Sequence, residues 1–98
     1  PLQFDEPGRT GLAFAVGVDV GPDGTVYIAQ GVDPALYAVD PSTGHATLVG
    51  TSPEAASDNV LVLSDGRILL SGFVGNSVVV FSPDGTGGWI RTVTAVGS

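Results

Sequence analysis

The chain contains no cysteine and no lysine, and only one histidine, His45. Without cysteine there is no disulfide, no thiol nucleophile and no thiolate metal site. Without lysine the only cations are Arg9, Arg67 and Arg91, scattered along 98 residues against ten acidic side chains, for a formal charge of −7. No basic stripe exists to displace counterions from phosphates, so a nucleic-acid partner is excluded. Long apolar runs are also missing, and no stretch approaches the length that crosses a bilayer. The opening residues, Pro1 followed closely by Asp5, Glu6, Pro7 and Gly8, do not read as a secretory leader. The expectation is a chain that is mature, trimmed or cut from something longer.

What is present points to an ordered all-β protein. Charged residues make up 13% and hydrophobic ones 43%, which is not the composition of a disordered acidic tail. Fifteen Gly and seven Pro are spread between apolar runs rather than clustered, the pattern of short strands joined by tight turns. No segment sustains the i, i+3, i+4, i+7 spacing of an amphipathic helix, so no substantial helix is predicted.

The chain repeats. Shifted by 42 residues, Val18 falls on Val60, Val20 on Val62, Asp23 on Asp65, Gly24 on Gly66, Val32 on Val74 and Pro41 on Pro83. Conservative pairs fill the gaps: Val26 with Ile68, Ile28 with Leu70, Val39 with Phe81. A two-residue insertion after Pro83 then brings Gly44 over Gly88 and Val49 over Val93. Turn residues and apolar runs coincide together, and a unit of this size buries its faces only by stacking on a neighbour. Within the first period four strands are predicted, Gly17 to Val20, Thr25 to Ala29, Ala35 to Val39 and His45 to Val49. A Gly-Pro-Asp-Gly turn, a loop from Gln30 to Pro34 and an Asp40 to Gly44 turn connect them. The second period gives Val60 to Leu63, Arg67 to Ser71, Ser77 to Phe81 and Trp89 to Val96. Asp-Gly turns between apolar runs are strong hairpin signals. The middle strands, such as Val26-Tyr27-Ile28-Ala29 and Val78-Val79-Val80-Phe81, barely alternate, which predicts burial on both faces. Four-stranded antiparallel units of this length, covered on both faces, are the blades of a β-propeller.

The stretch from Gly17 to Ala29, Gly-Val-Asp-Val-Gly-Pro-Asp-Gly-Thr-Val-Tyr-Ile-Ala, resembles the repeat of NHL-like propellers, and of streptogramin lyase-like and gluconolactonase-like propellers. Leu36 to Gly44, with Thr47 to Gly50, resembles the outer-strand phrase of the same superfamily. Ser82 to Trp89 is similar to the Asp-box turn of sialidase-type propellers, with Thr86 in place of a Gly. The resemblance covers residues 17–96 and implies fold rather than activity, because its motifs are turn and core residues. It also implies an extracytoplasmic location, secreted or periplasmic. The organisation expected is residues 1–16 as a strand or linker from a preceding blade, 17–58 as one blade and 59–98 as another. A small β-sandwich is the alternative. Propellers close with at least four blades, so the missing ones must come from a longer chain or from identical copies.

Few residues offer chemistry. His45 sits at the turn between third and fourth strands and reads as a surface residue. No Gly-rich phosphate cradle, paired acid–base carboxylates or His/Cys metal cluster is present. An EF-hand loop beginning at Asp19 fails, since Gly21 and Gln30 stand where ligands are needed. Asp19, between Val18 and Val20 on an innermost strand, is expected to face a channel or a sheet edge. Phe73, in the loop between second and third strands, is the aromatic best placed for ligand contact. Resemblance to gluconolactonase-like propellers implies that Asp58 and Asn59, expected just before an innermost strand, bind a divalent cation, Ca²⁺ or Mg²⁺. Tyr27, Tyr37 and Phe81 are expected in the core, and Trp89 packed between blades. The function expected is a non-catalytic propeller segment, a scaffold or binding module needing no cofactor. The alternatives are a fragment of a lyase- or lactonase-type enzyme and a two-blade lectin-like unit that assembles into a ring. No membrane partner is expected.

Overall fold

The computed structural model describes residues 3–4, 15–31, 34–51, 57–72 and 77–95, and among them there are nine strands and no helix. The strands are β1 (Gln3–Phe4), β2 (Ala15–Val20), β3 (Val26–Gln30), β4 (Ala35–Asp40), β5 (His45–Thr51), β6 (Ser57–Val62), β7 (Ile68–Gly72), β8 (Ser77–Pro83) and β9 (Trp89–Ala95). β2 to β5 form one four-stranded antiparallel meander and β6 to β9 another. Of the segment 1–16, Gln3–Phe4 adds a short fifth strand to the first sheet, parallel to β5 at its outer edge. Both sheets are open.

The repeat is visible atom by atom in the β2–β3 and β6–β7 turns. Gly21 N donates to Thr25 O at 2.8 Å and Gly24 N to Gly21 O at 3.0 Å; Leu63 N donates to Arg67 O at 2.8 Å and Gly66 N to Leu63 O at 3.0 Å. Both turns need a left-handed residue, and Gly24 (φ 90°) and Gly66 (φ 93°) supply it. Four turn aspartates then accept an amide two residues further on: Asp23 from Thr25, Asp40 from Ser42, Asp65 from Arg67 and Asp84 from Thr86.

Three local differences from the sequence reading have physical causes. β2 and β6 open earlier than Gly17 and Val60, because each begins with a register shift, between Ala15 and Gly17 and between Ser57 and Asn59. Asp58 and Asn59 therefore lie within β6 rather than before it. Gln30 ends β3, paired with Ala35 and fully buried, instead of opening a loop. The turn of the second period is three residues longer, and a register shift between Leu36 and Tyr37 brings the net insertion back to two by Gly50, which pairs with Leu36 as Thr94 pairs with Val78. Asp40 pairs with His45, whereas its repeat counterpart Ser82 pairs with Ile90. The added residues therefore lie in the turn between Pro83 and Trp89, and Trp89 stands where the first sheet has Gly44.

The two sheets pack face to face. Tyr27, Ala29 and Leu36 from the first meet Val60, Ile68, Leu70, Val79 and Phe81 from the second in one buried cluster. Full burial of each larger side chain is worth about 1.5–3 kcal/mol. Strand alternation turns Tyr37, Val39 and Ala46 to the other face of the first sheet, where they too are buried. At β4 the first sheet buries side chains on both faces, as its near-continuous apolar run predicts, while at the inner edge of the outer face Val18 and Val20 are exposed. On the far face of the second sheet Leu61 is exposed and Leu69, Val78 and Val80 are half-buried.

Candidate functional site

The junction between the sheets joins side chains and backbone that are far apart in sequence. Asp19 lies on β2 opposite Tyr27 of β3, so alternation turns its carboxylate toward the second sheet. Its Oδ2 accepts Val62 N at 2.8 Å and its Oδ1 accepts Val20 N at 2.8 Å. The Val62 amide bond, with that of Val20 after it, holds the Asp19 carboxyl below the ordinary carboxylate range. The innermost strands approach closely there. A Cβ on Gly17 would lie 3.3 Å from both Asn59 Cα and Val60 N.

Further out, Gly50 of β5 leaves the space that the Phe81 ring fills; a Cβ there would overlap Phe81 Cε1 and lie 2.9 Å from Cζ. Arg91 Nε of β9 donates to Thr51 O at 2.8 Å. At the base, the Tyr27 and Trp89 rings meet edge to face, centroids 6.1 Å apart and planes at 88°. They line a cavity of about 250 Å³ together with Val62, Asp65, Gly66 and Pro83. Burial, with the Asp23 charge as a smaller cause, raises the Tyr27 hydroxyl above its usual pKa. Asp84 closes the turn before Trp89. Its Oδ1 accepts Thr86 N at 2.8 Å, Thr86 Oγ1 at 2.7 Å and Gly88 N at 3.1 Å. This is the turn staple with a packed Trp that the Asp-box likeness implies.

A wider groove of about 420 Å³ runs along the turn end of the first sheet, lined by Asp23, Thr25, Ala38, Asp40, His45 and Thr47 among others. Its carboxylates are already engaged. Ser42 Oγ and N donate to Asp40 Oδ1 at 2.7 and 2.9 Å, and the hydroxyl bond is the first cause of the lowered Asp40 pKa. The Thr25 amide does the same for Asp23, and the Arg67 amide for Asp65. A carboxyl shifted down is ionised at neutral pH and serves as an acceptor, not as a proton donor.

Of the candidate ligand residues, the structure describes the side chains of Asp19 and Asn59. Asp19 is committed to the sheet junction. Asn59 is exposed on β6, with Oδ1 accepting its own neighbour's amide, Val60 N, at 2.9 Å. Asp58 stands beside it in β6. Phe73 lies outside the described residues. Among the described residues no group of three or more His, Cys, Asp or Glu side chains is placed to hold a metal ion. No local signal in the sequence distinguishes Gly50 or Arg91, because each acts on the opposite sheet. No protein-family model matches the chain, and neither does any curated protein.

Proposed function

We propose that the chain is a non-catalytic segment of a β-propeller, two blades that act as a scaffold or as a module binding a protein or small ligand. One observation carries this reading: two four-stranded meanders, repeated in sequence and in turn geometry, are stacked face to face with their first strands closest. β2 and β6 are bridged by the Asp19–Val62 bond and approach within backbone contact at Gly17. A sandwich built from the same strands would close on one shared core and wet its outer faces. Here the first sheet buries Tyr37 and Val39 on its outer face as well.

The decisive experiment joins three copies of the chain in tandem and images the product by electron microscopy. A closed disc with six radial sheets is the expected result; an open twisted array would refute the blade assignment. The enzyme alternative is tested through Asp58 and Asn59 by calcium and magnesium titration in a calorimeter. The absence of heat that an Asp58→Ala control also lacks removes the cation.

A further inference from the structure

The sheets turn one face toward each other and one face away, and the repeat relates these faces. At the internal junction the first sheet presents Asp19, Tyr27 and Leu36, and the second presents Val60, Leu70 and Phe81. Under the 42-residue shift the first set becomes Leu61, Leu69 and Val78, all on the far face of the second sheet. The second set becomes Val18, Ile28 and Val39, all on the far face of the first. Each outward face therefore repeats the position of a face that already has a partner.

These outward faces are incompletely covered. Leu61 is 52% exposed, and it borders a depression of about 180 Å³ with Leu69, Ser71 and Val78. On the first sheet Val39 is buried, but at the inner edge Val18 is 64% and Val20 56% exposed. Their counterparts Val60 and Val62 are packed against the core. Contiguous apolar surface of this kind marks an interaction site.

We propose that the far face of the second sheet receives the inner edge of the first sheet of a second copy of this chain, where Val18 and Val20 are exposed. The inference rests on the blade reading above and adds the occupant. The matching surface is the chain's own, the repeat counterpart of one engaged inside the molecule. The contact is head to tail, since the two faces differ, so it propagates until a ring closes. Of the six counterpart pairs only Val60 and Val18 are identical, and the change of chemistry is greatest at Asp19. Leu61 takes the place of Asp19, so an apolar side chain, not a carboxylate, lies against the strand carrying Val20 of the second copy. With a net charge of −7 on each copy, salt that screens mutual repulsion strengthens the association.

Sedimentation velocity on the intact chain, over a concentration series at low and moderate salt, tests this. Mass rising in steps of one chain, more readily at moderate salt, is expected. Val18→Glu and Leu61→Glu each remove one of the two faces and should each give a monomer. Mixed in equal amounts, they should form a dimer and stop there, because one good face survives on each copy. A wild-type chain that stays monomeric throughout overturns the proposal, as does a mixture that remains two monomers. Both substituted sites are exposed; should either variant fail to keep the wild-type circular dichroism, Val20→Thr and Leu61→Thr replace the pair. The internal junction is read separately in the same samples through the melting temperature of Gly50→Val. A lowered value with no self-association removes the second copy and leaves the blade reading standing, whereas an unchanged value removes both.

Discussion

Asp19 Oδ2 accepts the amide of Val62 across the junction at 2.8 Å, joining residues 43 apart through the innermost strands of the two sheets. The same carboxylate takes Val20 N on its other oxygen. Asp19→Ala leaves the Val62 amide without this acceptor and should lower the melting temperature. Asp19→Asn keeps one carbonyl oxygen and should lower it less. Thermal denaturation of the two variants side by side checks the order; equal values would mean that the bond contributes nothing.

Gly50 and Phe81 form a size-matched pair. Gly50→Val drives a side chain into the Phe81 ring and should destabilise by about 1–3 kcal/mol, the usual range for overpacking. Phe81→Leu in the same chain should recover part of that loss. A double-mutant cycle in urea measures the coupling, and strict additivity would show that the two positions do not meet.

Gly24 and Gly66 share a left-handed backbone but not a neighbourhood. A Cβ on Gly24 meets nothing within 4 Å, whereas one on Gly66 lies 3.3 Å from Pro83 Cγ. Gly24→Ala should therefore show the backbone penalty alone, about 1 kcal/mol. Gly66→Ala should cost more, because Pro83 must also give way. Chemical denaturation that ranks them in the opposite order would contradict the turn geometry.

Acid should unfold the protein through its aspartates. Asp19, Asp23, Asp40, Asp65 and Asp84 all have folded pKa values below the ordinary 3.8. A depressed folded pKa contributes stability above the unfolded value, and that contribution is lost as pH falls through the folded one. Stability should be level with respect to these groups near neutrality and decline below about pH 4. Asp40→Asn with Asp84→Asn should make that decline shallower. Melting temperature followed from pH 7 to pH 2 reads the slope, and an unchanged slope in the double variant would remove the turn carboxylates as its source.

Trp89 is the only tryptophan and touches Tyr27 of the opposite sheet. Its fluorescence should shift to longer wavelength as the sheets separate, together with the loss of β circular dichroism. Tyr27→Leu should weaken the protein by roughly 0.5–1.5 kcal/mol beyond the lost area, the usual worth of an edge-to-face pair. Fluorescence that changes well before the circular dichroism would show that Trp89 does not report on the junction.

Much of this architecture is legible without coordinates. Strand identity, the turn positions, the two-fold repeat and the all-β class follow from interactions that span only a few residues. Asp-Gly needs a left-handed glycine at Gly24 and Gly66, Asp40 and Asp84 reach donors two residues away, and apolar runs mark the strands. Their chemistry is written where they act. The partner of Asp19, the space that Gly50 leaves for Phe81 and the reach of Arg91 to Thr51 are of another kind. They depend on how two twisted sheets lie against each other, and no local pattern carries that relative placement. The same holds for the open face around Leu61: the run Val78-Val79-Val80-Phe81 promises cover on both sides, but only packing decides which side receives it.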